Sequence, residues 1–222
     1  MFVAAPQIGN TAVSMDKLSF EGRHVRLEPL ELRHVEALTA ASAVDPSLYQ
    51  WSAVPVGVAA VQAYVETALA AQIAGNAMPF AVLRRADGEV IGSTRFFDIE
   101  RWPWPAEHPQ AKRGVPDACE IGYTWYTKAA IRTAANTEAK LMMLTHAFEV
   151  WQMARVCLHT DERNARSRAA MERLGCRFEG ILRSHRLAVD LIPRNSARYS
   201  IIAAEWPQTK ARIEEMMRRH DG

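Results

Sequence analysis

Apolar residues change their period several times along the chain, and the changes divide it into elements. Val25, Leu27 and Leu30 alternate with Arg26, Glu28 and Pro29, the period of two of a strand that ends at its proline. Over 31–42 the spacing lengthens, with Leu32, Val35 and Leu38 three apart, which predicts a helix. A second helix is predicted over 58–74 and stopped by Gly75-Asn76. Residues 80–84 and 89–97 then read as strands around Asp87-Gly88, a two-residue hairpin signal. The polar, proline-rich stretch 98–117, containing Trp102-Pro103-Trp104-Pro105, is too long for a simple connection; it is a functional loop or a surface insertion. Residues 119–126 predict another strand, and 137–151 the clearest helix, striped by Leu141, Leu144, Phe148 and Trp151. Residues 155–160 alternate as a strand. The short helix 164–174 has Asn164 placed to cap it and Gly175 to end it. Segments 178–189 and 198–203 form a closing hairpin. The order β-α-α-β-β-β-α-β-α-β-β is that of an α/β (mixed α+β) chain, a mixed sheet with helices on both faces.

At 222 residues the chain fits one domain, for which roughly 100–200 residues is usual, with short ends. We assign 1–17 to an N-terminal extension, 18–206 to the domain and 207–222 to a helical tail. Ile213, Met216 and Met217 give that tail a thin apolar edge, which docks on the domain, docks on a second copy in a homodimer, or stays solvated. Hydrophobic residues at 49% against 23% charged supply a substantial core. A formal charge of +2 is too small to make nucleic acid the main partner. No apolar run reaches the roughly 18 residues of a membrane span, and 1–17 lacks the pattern of a secretion signal. Cys119, Cys157 and Cys176 are odd in number and far apart, which fits a reducing cytoplasm and no disulfide framework. The seven histidines show no metal-ligand spacing, so no metal is expected.

Two segments carry candidate chemistry. In the first, the strand 119–126 leads through Ile131-Arg132-Thr133-Ala134-Ala135-Asn136-Thr137-Glu138 into the long helix. The first N–H groups of a helix lack internal partners and sit at the positive end of its dipole, so they can receive phosphate oxygens. The plainer reading is Asn136 capping an ordinary core helix. In the second segment, Arg163, Arg166, Arg168 and Arg173 crowd the short helix and its start. Such a face either receives phosphates or is simply solvated.

Glu120-Ile121-Gly122-Tyr123, the loop and helix start from Arg132 to Lys140, and Asn164-x-x-Ser167 followed by Leu174-Gly175-x-x-Phe178-Glu179-Gly180 resemble the GNAT acetyltransferases. Within that family they resemble the Rim type, which acetylates N-terminal amines of ribosomal proteins, and its small-molecule relatives; Gly22-Arg23-x-Val25-x-Leu27-x-Pro29-Leu30 resembles that subgroup's opening strand. The likeness runs from about 20 to 205. It implies the GNAT fold, a mostly antiparallel sheet of six to seven strands, and acetyl transfer from acetyl-CoA to a primary amine of a peptide or small molecule, without a metal. It also implies that the backbone of Arg132, Thr133, Ala134, Ala135, Asn136 and Thr137 wraps the CoA diphosphate. Pantetheine would pair with Tyr123, Thr124, Trp125 and Tyr126 and meet the region of Asn164, with Arg168 and Arg173 nearby for phosphate. Glu120 stands at the position of a frequent general base and Ser167 at that of a candidate acid, while Trp102 and Trp104 are placed to line the acceptor site.

These roles suit the chemistry. An alkyl ammonium with a pKa of about 10.4 must lose a proton before it can attack a thioester, and a nearby carboxylate helps remove it directly or through water. A splayed strand end near Gly122 to Trp125 can offer a backbone donor to the developing oxyanion. Glu120 has an alternative as a strand carboxylate paired with an arginine, and Ser167 as a helix-start serine. Two departures from the family pattern bear on cofactor and mechanism. The family's loop glycines are absent from 132–137, with alanine, asparagine or threonine in their places, which makes positive φ harder to reach. Met171 stands where many members carry a tyrosine acid, which leaves that duty to Ser167, Tyr126 or water. A weak or non-catalytic CoA-binding protein is the alternative function.

Overall fold

The computed structural model describes residues 18–221; the extension at 1–17 lies outside them. Eight strands and five α-helices follow in order: β1 Phe20–Glu21, β2 Val25–Pro29, α1 Val35–Ala43, α2 Val58–Ile73, β3 Ala77–Arg84, β4 Val90–Glu100, β5 Ala118–Tyr126, α3 Ala135–Thr145, β6 Arg155–Asp161, α4 Ala165–Leu174, β7 Arg177–Leu187, β8 Pro193–Ile202 and α5 Trp206–Asp221. The strands make one sheet in the order β1-β2-β3-β4-β5-β6-β8-β7. Every neighbouring pair is antiparallel except β5 with β6. The eighth strand, beyond the six to seven expected, is the two-residue β1 folded back on β2.

Alternation along the strands divides the apolar residues between two layers. Leu30, Leu38, Val61, Val65, Ala81, Leu83 and Trp125 pack α1 and α2 on one face. Val82, Phe96, Ile121, Met143, Leu158, Tyr199 and Ile213 fill the other, beneath α3, α4 and α5. Ile213 is fully buried, so α5 is docked on its own domain by the thin apolar edge of its sequence. Strands β4 and β5 approach closely at Gly92, where a Cβ would lie 2.0 Å from the Trp125 carbonyl oxygen.

Three local expectations are corrected. The β3–β4 turn has four residues, 85–88, rather than the two of Asp87-Gly88: Arg84 N–H donates to Glu89 O and Gly88 N–H to Arg84 O, both at 2.8 Å. Only Gly88 there takes positive φ, at 74°, so the paired left-handed residues of a two-residue turn are not formed. Helix α3 begins two residues earlier than 137, with Ala134 at its cap position. Asn136 therefore lies inside the first turn, and Thr133 Oγ1 accepts the Ala135 N–H at 3.2 Å instead. At its far end α3 passes into a π turn, His146–Val150, where Phe148 stacks on Trp206 of α5 at 5.2 Å.

Candidate active site

The parallel pair β5–β6 comes apart half-way. Its register holds at Ala118↔Arg155, Cys119↔Val156 and Glu120↔Cys157 and then ceases, although β5 continues to Tyr126 and β6 to Asp161. The cause lies on the other side of β5. Pairing with β4 jumps from Ser93↔Trp125 to Arg95↔Gly122, so Tyr123 and Thr124 together oppose Thr94. This bulge bends β5 away from β6 and leaves Tyr123 in the left-handed region at φ 50°. Past Glu120 the sheet is a fork, with unpaired backbone along its inner edges.

Glu120 sits at the crotch of the fork and is buried. One carboxylate oxygen is 2.6 Å from His159 Nδ1, and the other is 3.1 Å from an Arg198 guanidinium nitrogen. The period of β6 and the His159↔Arg198 register bring both partners to this face. Burial alone would raise the pKa of Glu120; the His159 hydrogen bond and the charges of His159, Arg198 and Arg186 outweigh it and hold the carboxyl below its ordinary value. Around the pair, Phe97 meets Tyr123 at 5.0 Å and His159 at 6.0 Å, and the Arg95 guanidinium lies 3.9 Å from the Tyr123 ring centre.

The other face of the same bulge carries Lys140 of α3. Its amine nitrogen donates to Thr124 Oγ1 at 2.9 Å and Thr94 Oγ1 at 3.2 Å, with the two hydroxyls 2.7 Å apart. Burial pulls its pKa down to about 7, against a small opposing effect of Cys176.

At the open end of the fork the chain turns into α3. The left-handed residue of this glycine-free loop is Arg132, at φ 65°, so Ala134 and Ala135 stay in ordinary helical backbone. No side chain of the cap residue closes the helix, and the amides of Asn136 and Thr137 stand in its open first turn. Glu138 turns the other way and accepts N–H bonds from Arg23, His24 and Val25 at 2.7–2.8 Å. Gly22 has to be glycine for that contact, because a Cβ would lie 2.4 Å from a Glu138 oxygen. A cleft of about 490 Å³ runs beside this helix start, between Thr133, Ala134 and Ala135 and the cationic Arg23, Arg84 and Arg85. Tyr126 ends β5 with its hydroxyl buried and without a hydrogen-bond partner, and burial raises its pKa.

Across the fork, Asn164 Oδ1 caps α4 by accepting the Ser167 N–H at 3.0 Å, and Ser167 is half-buried there. Arg168 turns to β8, donating to Tyr199 Oη at 3.1 Å, and Arg173 is exposed in the last turn. The 46–51 segment bridges the two prongs: Tyr49 Oη donates to Tyr126 O at 3.1 Å, Arg166 to Leu48 O at 3.0 Å, and Arg163 lies 4.2 Å over Trp51. Glu120, Tyr123, Thr124, Trp125 and Tyr126 thus follow one another on the diverging strand β5, residues 132–137 lie at the turn into α3, and Asn164 and Ser167 lie at the start of α4 after β6. Trp102 and Trp104 do not join them. Asp117, just before β5, holds the Trp102 N–H at 2.8 Å and the Trp104 indole N–H at 2.9 Å, at the end of β5 remote from Tyr126.

The acetyltransferase (GNAT) domain family matches residues 24–177, more than half of the chain. The chain belongs to the GNAT acetyltransferase family. A GCN5-related N-acetyltransferase from Brucella melitensis is 29% identical, covers 90% of this chain and 85% of its own, and superposes with a TM-score of 0.76. A candidate acetyltransferase from T. thermophilus is 36% identical over 89% of this chain and 96% of its own, with a TM-score of 0.72. Mycobacterium smegmatis RimJ, solved in complex with CoA-disulfide, shares the fold at 24% identity and a TM-score of 0.69, over 87% and 90% of the two chains. No curated protein matches the chain. The enzyme is an N-acetyltransferase, and acetyl-CoA is the acetyl donor of its family. No group of three or more His, Cys, Asp or Glu that could hold a metal ion occurs among the described residues, and no described helix is long and apolar enough to cross a membrane.

Sequence reasoning missed His159, Arg198 and Arg95. A signal for His159 was present: the alternation Arg155, Cys157, His159 places it on one face of β6. Choosing that face needs the register with β5, which is a long-range fact.

Proposed function

We propose that the enzyme is of the Rim type and acetylates the primary amine of a peptide N-terminus or small molecule by direct attack within a ternary complex. The observation that carries this reading is the fork between β5 and β6, with the buried Glu120–His159 pair at its crotch and an open helix start at its mouth. The residues fit acetyl-CoA. Ala134 and Ala135 are small enough for close approach, Glu138 is turned away, and the unpartnered Tyr126 hydroxyl remains protonated to donate. Acetyl-CoA supplies the acetyl group on a thioester, whose thiolate leaves as the C–N bond forms and the C–S bond breaks.

Glu120 and His159 share the work of removing the amine proton. A carboxylate whose pKa is lowered is a weak acceptor alone, and the imidazole hydrogen-bonded to it offers a second, neutral nitrogen for the proton. Glu120 accepts from Nδ1–H and so fixes the ring's tautomer, while His159 takes the proton through water. Ser167, at the start of α4, donates a hydrogen bond to the departing sulfur, which leaves as the thiolate and takes its proton from water. The bulge at Tyr123 and Thr124 breaks the β4–β5 ladder, which supports a backbone N–H there as the donor to the developing oxyanion.

Calorimetry with acetyl-CoA and release of CoA on an amine panel test the reading. Acetyl-CoA should bind at micromolar to millimolar concentration, and Glu120→Gln should reduce kcat about 10²-fold while CoA affinity stays within about threefold. Equal losses in both would make Glu120 a structural residue. Binding without turnover on a broad panel favours a CoA-binding protein.

A further inference from the structure

The face beside Glu120 carries more positive charge than its carboxylates cover. Arg198 is matched by Glu120 at 3.1 Å and Glu179 at 3.9 Å, and Arg186 by Asp98 at 3.3 Å. Arg95 and Arg194 have no carboxylate within 4 Å among the described residues. Arg95 is 5% exposed; its contacts are the rings of Tyr64 at 4.8 Å and Tyr123 at 3.9 Å, and its Nε and Nη2 have no hydrogen-bond partner. Arg194 donates from Nε to Ser196 Oγ at 3.2 Å. Burial lowers its pKa; Asp161 opposes this, and Arg186 adds to it.

Ring contacts and charge join these groups on one face. The Arg186 guanidinium lies 5.9 Å from the Phe97 ring, Phe97 meets both Tyr123 and His159, and His185 meets His159 at 5.2 Å. His185 Nδ1 and Arg186 Nε are also buried without partners. The His185 pKa is lowered first by burial and then by His159 and Arg186, the sign of a positive local field.

An arginine cannot shed its proton to escape such a site as a lysine can. Aromatic faces compensate a buried guanidinium only in part, and its N–H groups remain unsatisfied. In the fold Arg95 joins Tyr64 of α2 to Tyr123 of β5 through ring contacts alone, which leave its Nε and Nη2 hydrogen-bonding capacity unused. Tyr123, whose ring rests on Arg95, is 46% exposed, so rotation of one side chain opens the guanidinium to the face.

We infer that the acceptor is an amine bearing an anionic group, carboxylate or phosphate, a few bonds away, held by Arg95 and Arg194 while the nitrogen faces the Glu120–His159 pair. This rests on the acetyl-transfer reading above and narrows it to a substrate class.

Matched amines test it on the wild-type enzyme: β-alanine against β-alaninamide for the carboxylate, and O-phosphoethanolamine against ethanolamine for the phosphate. Both kcat/KM and calorimetric affinity for the CoA-loaded enzyme are read. In at least one pair the anionic member should be preferred tenfold or more, as for a charge-assisted contact, and the preferred pair names the anion. Arg95→Met should reduce the preference to below threefold. Arg194→Gln, at a half-exposed position, should reduce it as well and serves if Arg95→Met does not fold. Equal or better use of the neutral member in both pairs overturns the inference, as does a preference that survives both variants or binding of no member of either pair. The last result, with acetyl-CoA still bound, leaves acetyl transfer standing; loss of acetyl-CoA binding takes down both.

Discussion

Two buried carboxylates in this enzyme are satisfied in opposite ways. Glu138, at the start of α3, accepts three backbone N–H groups from residues 23–25. Those donors cannot titrate or leave, and they lock the β1–β2 turn to the helix. Glu120 is held by His159 and Arg198, ionisable side chains of two other strands. Backbone dipoles make a joint, and a cluster of ionisable side chains makes a candidate site. Lys140 is a third case. It is as buried as either carboxylate but has only two hydroxyls for company, so it lowers its pKa rather than keep a charge.

The comparison predicts that stability and turnover rank the two carboxylates oppositely. Glu138→Ala leaves three N–H groups without acceptors and should cost about 3–5 kcal/mol of folding free energy. Glu120→Ala should cost only about 1–2 kcal/mol, since Arg198 keeps Glu179. Its turnover should nevertheless fall much further than that of Glu138→Ala under conditions where both are folded. Urea unfolding and CoA release measure the two rankings, and the same order in both would erase the distinction.

Lys140 sharpens the comparison through pH. Its folded pKa of about 7 lies below the ordinary 10.5. Between those values the unfolded chain holds a proton that the folded one does not, so stability rises with pH across that window and is flat below it. Lys140→Met removes the term. The variant should be more stable than wild type at pH 6–7, and the gap should narrow toward pH 10 by an amount on the order of 3–5 kcal/mol. A pH-independent gap would show that the amine is not buried as a neutral base.

What the sequence revealed divides along the same line between local and long-range causes. The strands around 25–29, 77–84 and 118–126, the Asn164 cap and the Gly175 stop were legible because periodicity and cap chemistry are local. Glu120 was placed by motif, but its partners were not, because strand register joins residues 39 apart. Asn136 was misjudged as a cap because what sets the start of α3 is the left-handed Arg132 together with the tie from Glu138 to residues 23–25. The Trp-rich loop suggested a binding surface by composition, and what positions its indole-bearing residues, Asp117 just before β5, is again a partner 13 and 15 residues away.

The smallest expected effect bears on the helix start. Thr133 Oγ1 accepts the Ala135 N–H at 3.2 Å and donates to Ala130 O at 2.8 Å, doing for a glycine-free loop what a cap residue does elsewhere. Thr133→Ala should cost about 1 kcal/mol of stability, the usual loss for a cap. If the open amides of Asn136 and Thr137 receive the diphosphate, the variant should also weaken acetyl-CoA binding severalfold, because the donors lose their fixed direction. Thermal unfolding and calorimetry on the same sample separate the two effects. A stability loss with unchanged acetyl-CoA affinity would mean that the loop serves the fold alone and that the diphosphate lies elsewhere.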